Sequence, residues 1–310
     1  MVPPVEEHVT TEKAMTEKDL SGKGLSEKVV FIVGDHLAGS SPSPHLMSLS
    51  QLLSGLRDGQ VREPWPTLVP GQGIEQYERG IVRGELRRLG LPESILLDIP
   101  MPELLGHSEV HKHNPENVLV AGLHRVDENL FRASFRISDR QEMVLDHAPS
   151  AHVAGMVITE LVRQMSLAVG ERYLLRPTGV SRRFILNSLQ TSFSKFLLPL
   201  PALIEYRAEN LVRKGPDWLR FQGHCDVVQA GVTAASGSMD MVVMDERRAA
   251  RIEKRQFLEV MPLLTDLHRF PVPLPHPLPH SAPAPHPVPV PVPVPHPAHS
   301  PEGVHALDSA

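Results

Sequence analysis

Glu160 and Gln164, one helical turn apart, are the residues whose chemistry most needs an explanation. On a wheel of about 100° per residue, the segment from Val153 to Gly170 is apolar almost all the way round. Val153, Val157, Leu161 and Ala168 fill one sector, Ile158, Val162, Met165 and Val169 continue it, and Met156 and Leu167 extend the other flank. Thr159, Ser166 and Gly170 leave a narrow polar strip with Arg163 at its edge. Glu160 and Gln164 fall outside that strip, so a carboxylate and a carboxamide are expected to project into apolar surroundings. Burying a carboxylate is costly unless it is paired or neutralised.

Two readings of this pattern compete. In one, Glu160 and Arg163 are an i,i+3 surface ion pair of little consequence. In the other, Glu160 is a site acid or base at the wall of a substrate channel, where desolvation raises its pKa toward working pH.

The flanking segments favour the second reading. Glu116–Val120 leads through Asp127-Glu128-Asn129 into Leu130–Ile137, where Phe131, Ala133, Phe135 and Ile137 alternate with Arg132, Ser134 and Arg136. That period of two marks a half-buried strand and a hairpin. Further strands are expected at Phe184–Phe193, Leu203–Val212, Trp218–Val228 and Val232–Met244, with Lys214-Gly215-Pro216-Asp217 as a turn. An all-round apolar helix must be covered on every side, and one curved antiparallel sheet wrapped about it does so. The expected class is α+β, in the arrangement called a hotdog.

Residues 110 to 245 resemble the A-factor biosynthesis hotdog family. The resemblance rests on Val110-His111-Lys112, His152-Val153-Ala154-Gly155-Met156 and Glu160-Leu161-Val162-Arg163-Gln164, with Gly223-His224-Cys225-Asp226 and Ala235-Ser236-Gly237 in the late strands. It implies acyl transfer in the synthesis of butyrolactone or butenolide signals or other secondary metabolites. A beta-ketoacyl chain delivered on acyl carrier protein, or as acyl-CoA, is joined to a hydroxyl of dihydroxyacetone phosphate. Carried over residue by residue, the resemblance places Glu160, Arg163, Gln164 and His152 at the acyl site, with Glu160 and Arg163 catalytic and His152 and Gln164 substrate-binding; Gly155, lacking a Cβ, lets the backbone come close there, and His147 is a further substrate-binding candidate. Glu160 would be the general base, while Arg163 or a helix N-terminal amide would hold an oxyanion or phosphate. Ala154 stands where many relatives have proline. One hotdog unit is found where the best-known members carry two, so a homodimer or a hotdog heterodimer is expected.

The helix also looks distantly like that of the hotdog dehydratases of fatty-acid synthesis, which use an upstream histidine. Asp146-His147 lies near that position, although a loop histidine beside a solvated aspartate is the plainer meaning. Dehydratase or thioesterase chemistry, and a non-catalytic acyl-binding or dimerisation module, are therefore the alternatives. A Glu160 satisfied internally with no adjoining cavity would favour the module; fold alone does not choose.

Elsewhere the texture changes. Residues 1 to 27 are polar, lack the apolar core of a secretory leader and read as a disordered lead-in. Residues 28 to 105 read as a small α/β accessory element: a strand at Lys28–Val33, helices at Leu46–Leu56 and Ile74–Leu89, and a strand at Ile95–Ile99. Its Gly34-Asp35-His36 turn follows a strand but opens no dinucleotide or P-loop pattern. Residues 247 to 270 read as a charged helix whose Arg247, Arg248 and Arg251 form either a solvated face or a dock for an acidic carrier protein. From Pro271 the chain is a Pro/His-rich tail that forms neither helix nor sheet, with His276, His280, His286, His296 and His299 too extended to converge on one metal ion.

Composition sets outer bounds. A formal net charge of −5 over 310 residues, without a basic face, argues against nucleic acid. No apolar run has membrane-spanning length. The single cysteine, Cys225, suits the cytosol and reads as a structural strand residue with His224 facing the other way. No cofactor and no metal are expected.

Overall fold

In the computed structural model, residues 29–39, 44–146, 151–176, 181–215 and 218–265 are described. His147, the lead-in and the Pro/His-rich tail lie outside them.

The N-terminal region is α/β, built on a three-stranded parallel sheet in the order β2-β1-β3: β1 Val29–Val33, β2 Leu46–Ser48 and β3 Thr67–Pro70. Helices α1 (Leu49–Arg57) and α2 (Gln76–Arg88) turn Leu52, Leu56, Val82 and Leu86 into a core shared with Val30, Ile32 and Leu68. Two details differ from expectation. Leu46–Ser48 is strand, because Ser48 caps α1: its hydroxyl accepts from Gln51 N while the Gln51 side chain accepts from Ser48 N. Ile95–Ile99 is no strand; a 3-10 turn at Glu93–Ile95 is followed by a single bridge from Leu96 to Leu68. The third strand is instead β3, at the sheet edge, where the missing N–H of proline is tolerated.

The larger sheet has six antiparallel strands: β4 Val120–Arg125, β5 Leu130–Phe135, β6 Arg182–Phe193, β7 Ala202–Arg213, β8 Trp218–Gln229 and β9 Val232–Asp245, in the order β4-β5-β7-β8-β9-β6. Between β5 and β6 come the short helix α3 (Glu142–Leu145) and the long helix α4 (Gly155–Val169), which ends in a π turn, Gly170–Leu174. Alternate residues of the strands, Phe131, Ala133 and Phe135, Ile204, Tyr206 and Ala208, Phe221, Cys225 and Val227, share one core with Val157, Leu161, Val162 and Met165 of α4. This is the hotdog arrangement, a curved sheet around a central helix. Two glycines let the wrap close. A Cβ at Gly223 would meet the Tyr206 hydroxyl oxygen at 1.8 Å, and one at Gly237 would meet Val162 at 2.6 Å.

Residues 71–73 tie the two sheets together within one compact unit. Gln72 donates its side-chain amide to Phe135 O and Leu200 O and accepts from Ile137 N, while Gly73 N donates to Ile137 O. The Gly34 turn is committed to the same seam: Asp139 accepts from His36 N and pairs with the His36 ring, and its carboxyl fills the space a Gly34 Cβ would need.

Helix α5 (Glu246–Thr265) follows β9 directly. Ala249 and Ile252 pack with Val242, Met244, Ile185 and Trp218, leaving Arg247, Arg248 and Arg251 exposed. Residues from Glu253 onward belong to a separate unit, whose described part exposes Phe257, Leu258 and Leu264.

Candidate functional site

Three regions follow one another along helix α4: a buried interior, an ion cluster and the helix start. Gln164 is completely buried. Its Oε1 accepts from Leu119 N at 2.9 Å, and its Nε2 donates to Asn117 O at 2.8 Å and to a Glu160 carboxylate oxygen at 3.0 Å. Expected to line the acyl site, it is buried and pins the approach to β4 against the helix. Ser166, assigned to the polar strip, is also fully buried and donates to Val162 O.

Glu160 lies at the rim. Arg163 grips its carboxylate with Nε and Nη2, both at 2.7 Å, and Lys112 Nζ lies 2.8 Å from Oε1. Arg163 also donates to Val110 O, so the ion cluster joins the helix to residues 110–112. The acid was expected to have a raised pKa. Burial does push it up, but hydrogen bonds from Arg163, Lys112 and Gln164 outweigh burial and hold the carboxyl at about 2. At neutral pH Glu160 is thus a saturated anion and, as it stands, a poor base. In the sequence Lys112 is only part of a family motif; its pairing with an acid 48 positions on needs the fold.

A stability prediction follows from that depressed pKa. Glu160 contributes stability above its ordinary value of 4.5, and the contribution is lost as pH falls from there to about 2. Glu160→Gln should therefore lower unfolding free energy by about 2 kcal/mol at pH 7, since it leaves two half-buried cations facing each other. Urea titrations of both proteins should converge between pH 4.5 and 2. A difference independent of pH would rule out the ion cluster as its source.

The third region is the start of α4. Ala154 supplies no side-chain cap to the first turn, where Val157 N donates to Ala154 O and the amides of Gly155 and Met156 lie ahead of it. Met156, expected on the buried face, is 67% exposed because the first turn emerges from the sheet. Phe193 and Phe196 crowd the same end: a Cβ on Gly155 would meet the Phe193 ring at 3.2 Å, and the His152 and Phe196 rings lie 4.6 Å apart. Both phenylalanines are exposed, with Leu198 beside them. Val153 N donates to Leu197 O, which holds residues 193–198 against the helix entry. The helix start is therefore an uncapped, positive dipole end inside an apolar collar.

Residues 98–245 match the A-factor biosynthesis hotdog domain. The hotdog domain is similar to solved structures at the level of fold. A putative thioesterase described as phenylacetic acid degradation-related, from Ralstonia eutropha, is 16% identical over 39% of this chain and 82% of its own, with a TM-score of 0.29. AziG from S. sahachiroi is 18% identical over 40% and 90%, with a TM-score of 0.29. A mutant thioesterase from Pseudomonas aeruginosa is 16% identical over 41% and 81%, with a TM-score of 0.30. Among curated proteins nothing matches the chain.

Asp146 is exposed, and its neighbour His147 lies outside the described residues. Cys225 is fully buried, and burial pushes its thiol well above the ordinary range. His224 faces outward near Asp226. His111 pairs with Glu171 and meets the Phe184 ring edge-on. Among the described residues no group of three or more His, Cys, Asp or Glu could hold a metal, and no helix is long and apolar enough to cross a membrane. Cavities of about 510, 420 and 330 Å³ open elsewhere, and Glu160 lines none of them.

Proposed function

We propose that the hotdog domain takes an acyl thioester at the start of α4 and transfers the acyl group to an acceptor hydroxyl. The observation that carries this reading is the uncapped helix end within the Met156, Phe193 and Phe196 collar. A thioester carbonyl suits first-turn amides, which also stabilise the oxyanion of a tetrahedral intermediate. The acyl chain would cover the collar, beside Gly155 and His152.

In this reading the Glu160–Arg163–Lys112 cluster faces the acceptor. A phosphate-bearing acceptor such as dihydroxyacetone phosphate competes with Glu160 for Arg163 and Lys112; once they turn to phosphate, the carboxylate loses the bonds that depress its pKa and becomes able to take the hydroxyl proton. Acyl carrier protein or coenzyme A would deliver the chain, with Arg247, Arg248 and Arg251 available to an acidic carrier, and a second hotdog unit, as homodimer or heterodimer, would complete the assembly. The product class would be a butyrolactone or butenolide precursor made in the cytoplasm.

A second reading is favoured by one observation: Glu160 is already saturated by three partners and borders no described cavity. It makes the domain a non-catalytic acyl-binding module. Incubating the protein with beta-ketoacyl carrier protein, with and without dihydroxyacetone phosphate, and following products by mass spectrometry separates the two. Transfer that requires the acceptor and falls at least tenfold in Lys112→Ala is expected. Binding without turnover would establish the module, and thioester hydrolysis indifferent to the acceptor would point to thioesterase chemistry.

A further inference from the structure

The seam between the two sheets holds a half-open cavity of about 510 Å³, apart from the start of α4 and Glu160. Its walls are apolar, with Ile74, Ile99, Met101, Phe135 and Leu203 among them. Two side chains in the lining are cationic, Arg79 and Arg136, and among the described residues no carboxylate lines it. Arg136 is neutralised by Glu75 at 2.7 Å. Arg79 is not neutralised in this way.

Arg79 is 7% exposed, donates Nη1 to Ile99 O, and leaves its buried Nε without a hydrogen-bond partner. The acid that acts on it through space, Asp98, is 86% exposed and paired with Arg83. Burial pulls the Arg79 pKa down, as for a cation short of compensation. A guanidinium held in an apolar wall with no carboxylate in direct contact is an unfavourable arrangement that a bound anion would relieve.

The cavity is also preformed. Gln72, in its lining, is bonded on both sides of the seam, and Gly71 packs so closely that a Cβ would meet Val33 at 2.8 Å and Pro199 O at 2.9 Å. A site whose walls are fixed before binding loses less entropy on occupation.

We infer that this seam cavity is a binding site for a small carboxylate with an apolar body, such as a medium-chain carboxylic acid. In the complex the carboxylate pairs with the Arg79 guanidinium in the lining, while the hydrocarbon lies against the Phe135 and Leu203 side. The inference does not rest on the acyl-transfer reading, since Glu160, Arg163 and the α4 collar lie outside this cavity.

Calorimetric titration of the full chain with octanoate, 1-octanol and inorganic phosphate tests it. Octanoate should bind at least tenfold more tightly than either of the others, and Arg79→Met should abolish that preference. Leu203→Trp, at a half-exposed position in the lining, should weaken octanoate at least tenfold without loss of folding, which keeps the test decisive if Arg79→Met is unstable. Equal affinity for octanoate and octanol, tighter binding of phosphate, or indifference to Leu203→Trp would overturn the inference.

Discussion

Gln164→Leu should destabilise the hotdog domain by about 3 kcal/mol or more, because two buried backbone groups lose their partners and each such orphan costs roughly 1–3 kcal/mol. Leu119 N and Asn117 O both end on the Gln164 amide, within a region from which water is excluded. Leucine fills similar volume, so a cavity adds little; the loss comes from hydrogen bonding. It also removes one of the bonds holding Glu160, so part of the effect should vanish in a Glu160→Gln background, as contacting residues are not additive. Urea unfolding at pH 7 measures both. A loss under about 1 kcal/mol would mean that the 117–119 segment is held by something else.

How far this arrangement could be read beforehand depends on the range of the forces involved. The central helix and strands β5 to β9 were visible because burial on one face imposes a period of two, and burial all round imposes an apolar wheel. Even the depth of Gln164 was foreseeable from its place on that wheel. Strand β3 was hidden because Pro64, Pro66 and Pro70 surround and end it, and its edge position, which makes proline harmless, is a tertiary fact. Met156 was misplaced because a wheel treats every turn alike, whereas the first turn of α4 projects from the sheet. The sign of the Glu160 pKa shift could not be read either. Desolvation is implied by helical position, but Lys112 reaches the acid only when residues 110–119 fold across the helix. The seam cavity is legible nowhere in the motifs, since its walls come from segments separated by over a hundred residues.

Met156→Glu should produce the largest functional effect, with stability moving the other way. In the free protein Met156 is mostly in solvent, so the carboxylate is not buried, and beside the N-terminus of α4 it interacts favourably with the helix dipole, by about 0.3–1 kcal/mol. In the acyl complex the same side chain would be covered by hydrocarbon, and the charge would sit where the thioester carbonyl needs the helix amides. The combined penalty should be about 2 kcal/mol or more, roughly a 30-fold loss of affinity.

Titrating octanoyl-pantetheine into the wild-type protein and Met156→Glu, with thermal melts alongside, therefore tests most directly whether the start of α4 is the thioester site. The account predicts an affinity at least about 30-fold weaker with an unchanged or raised melting temperature. Equal affinities in the two proteins would contradict it.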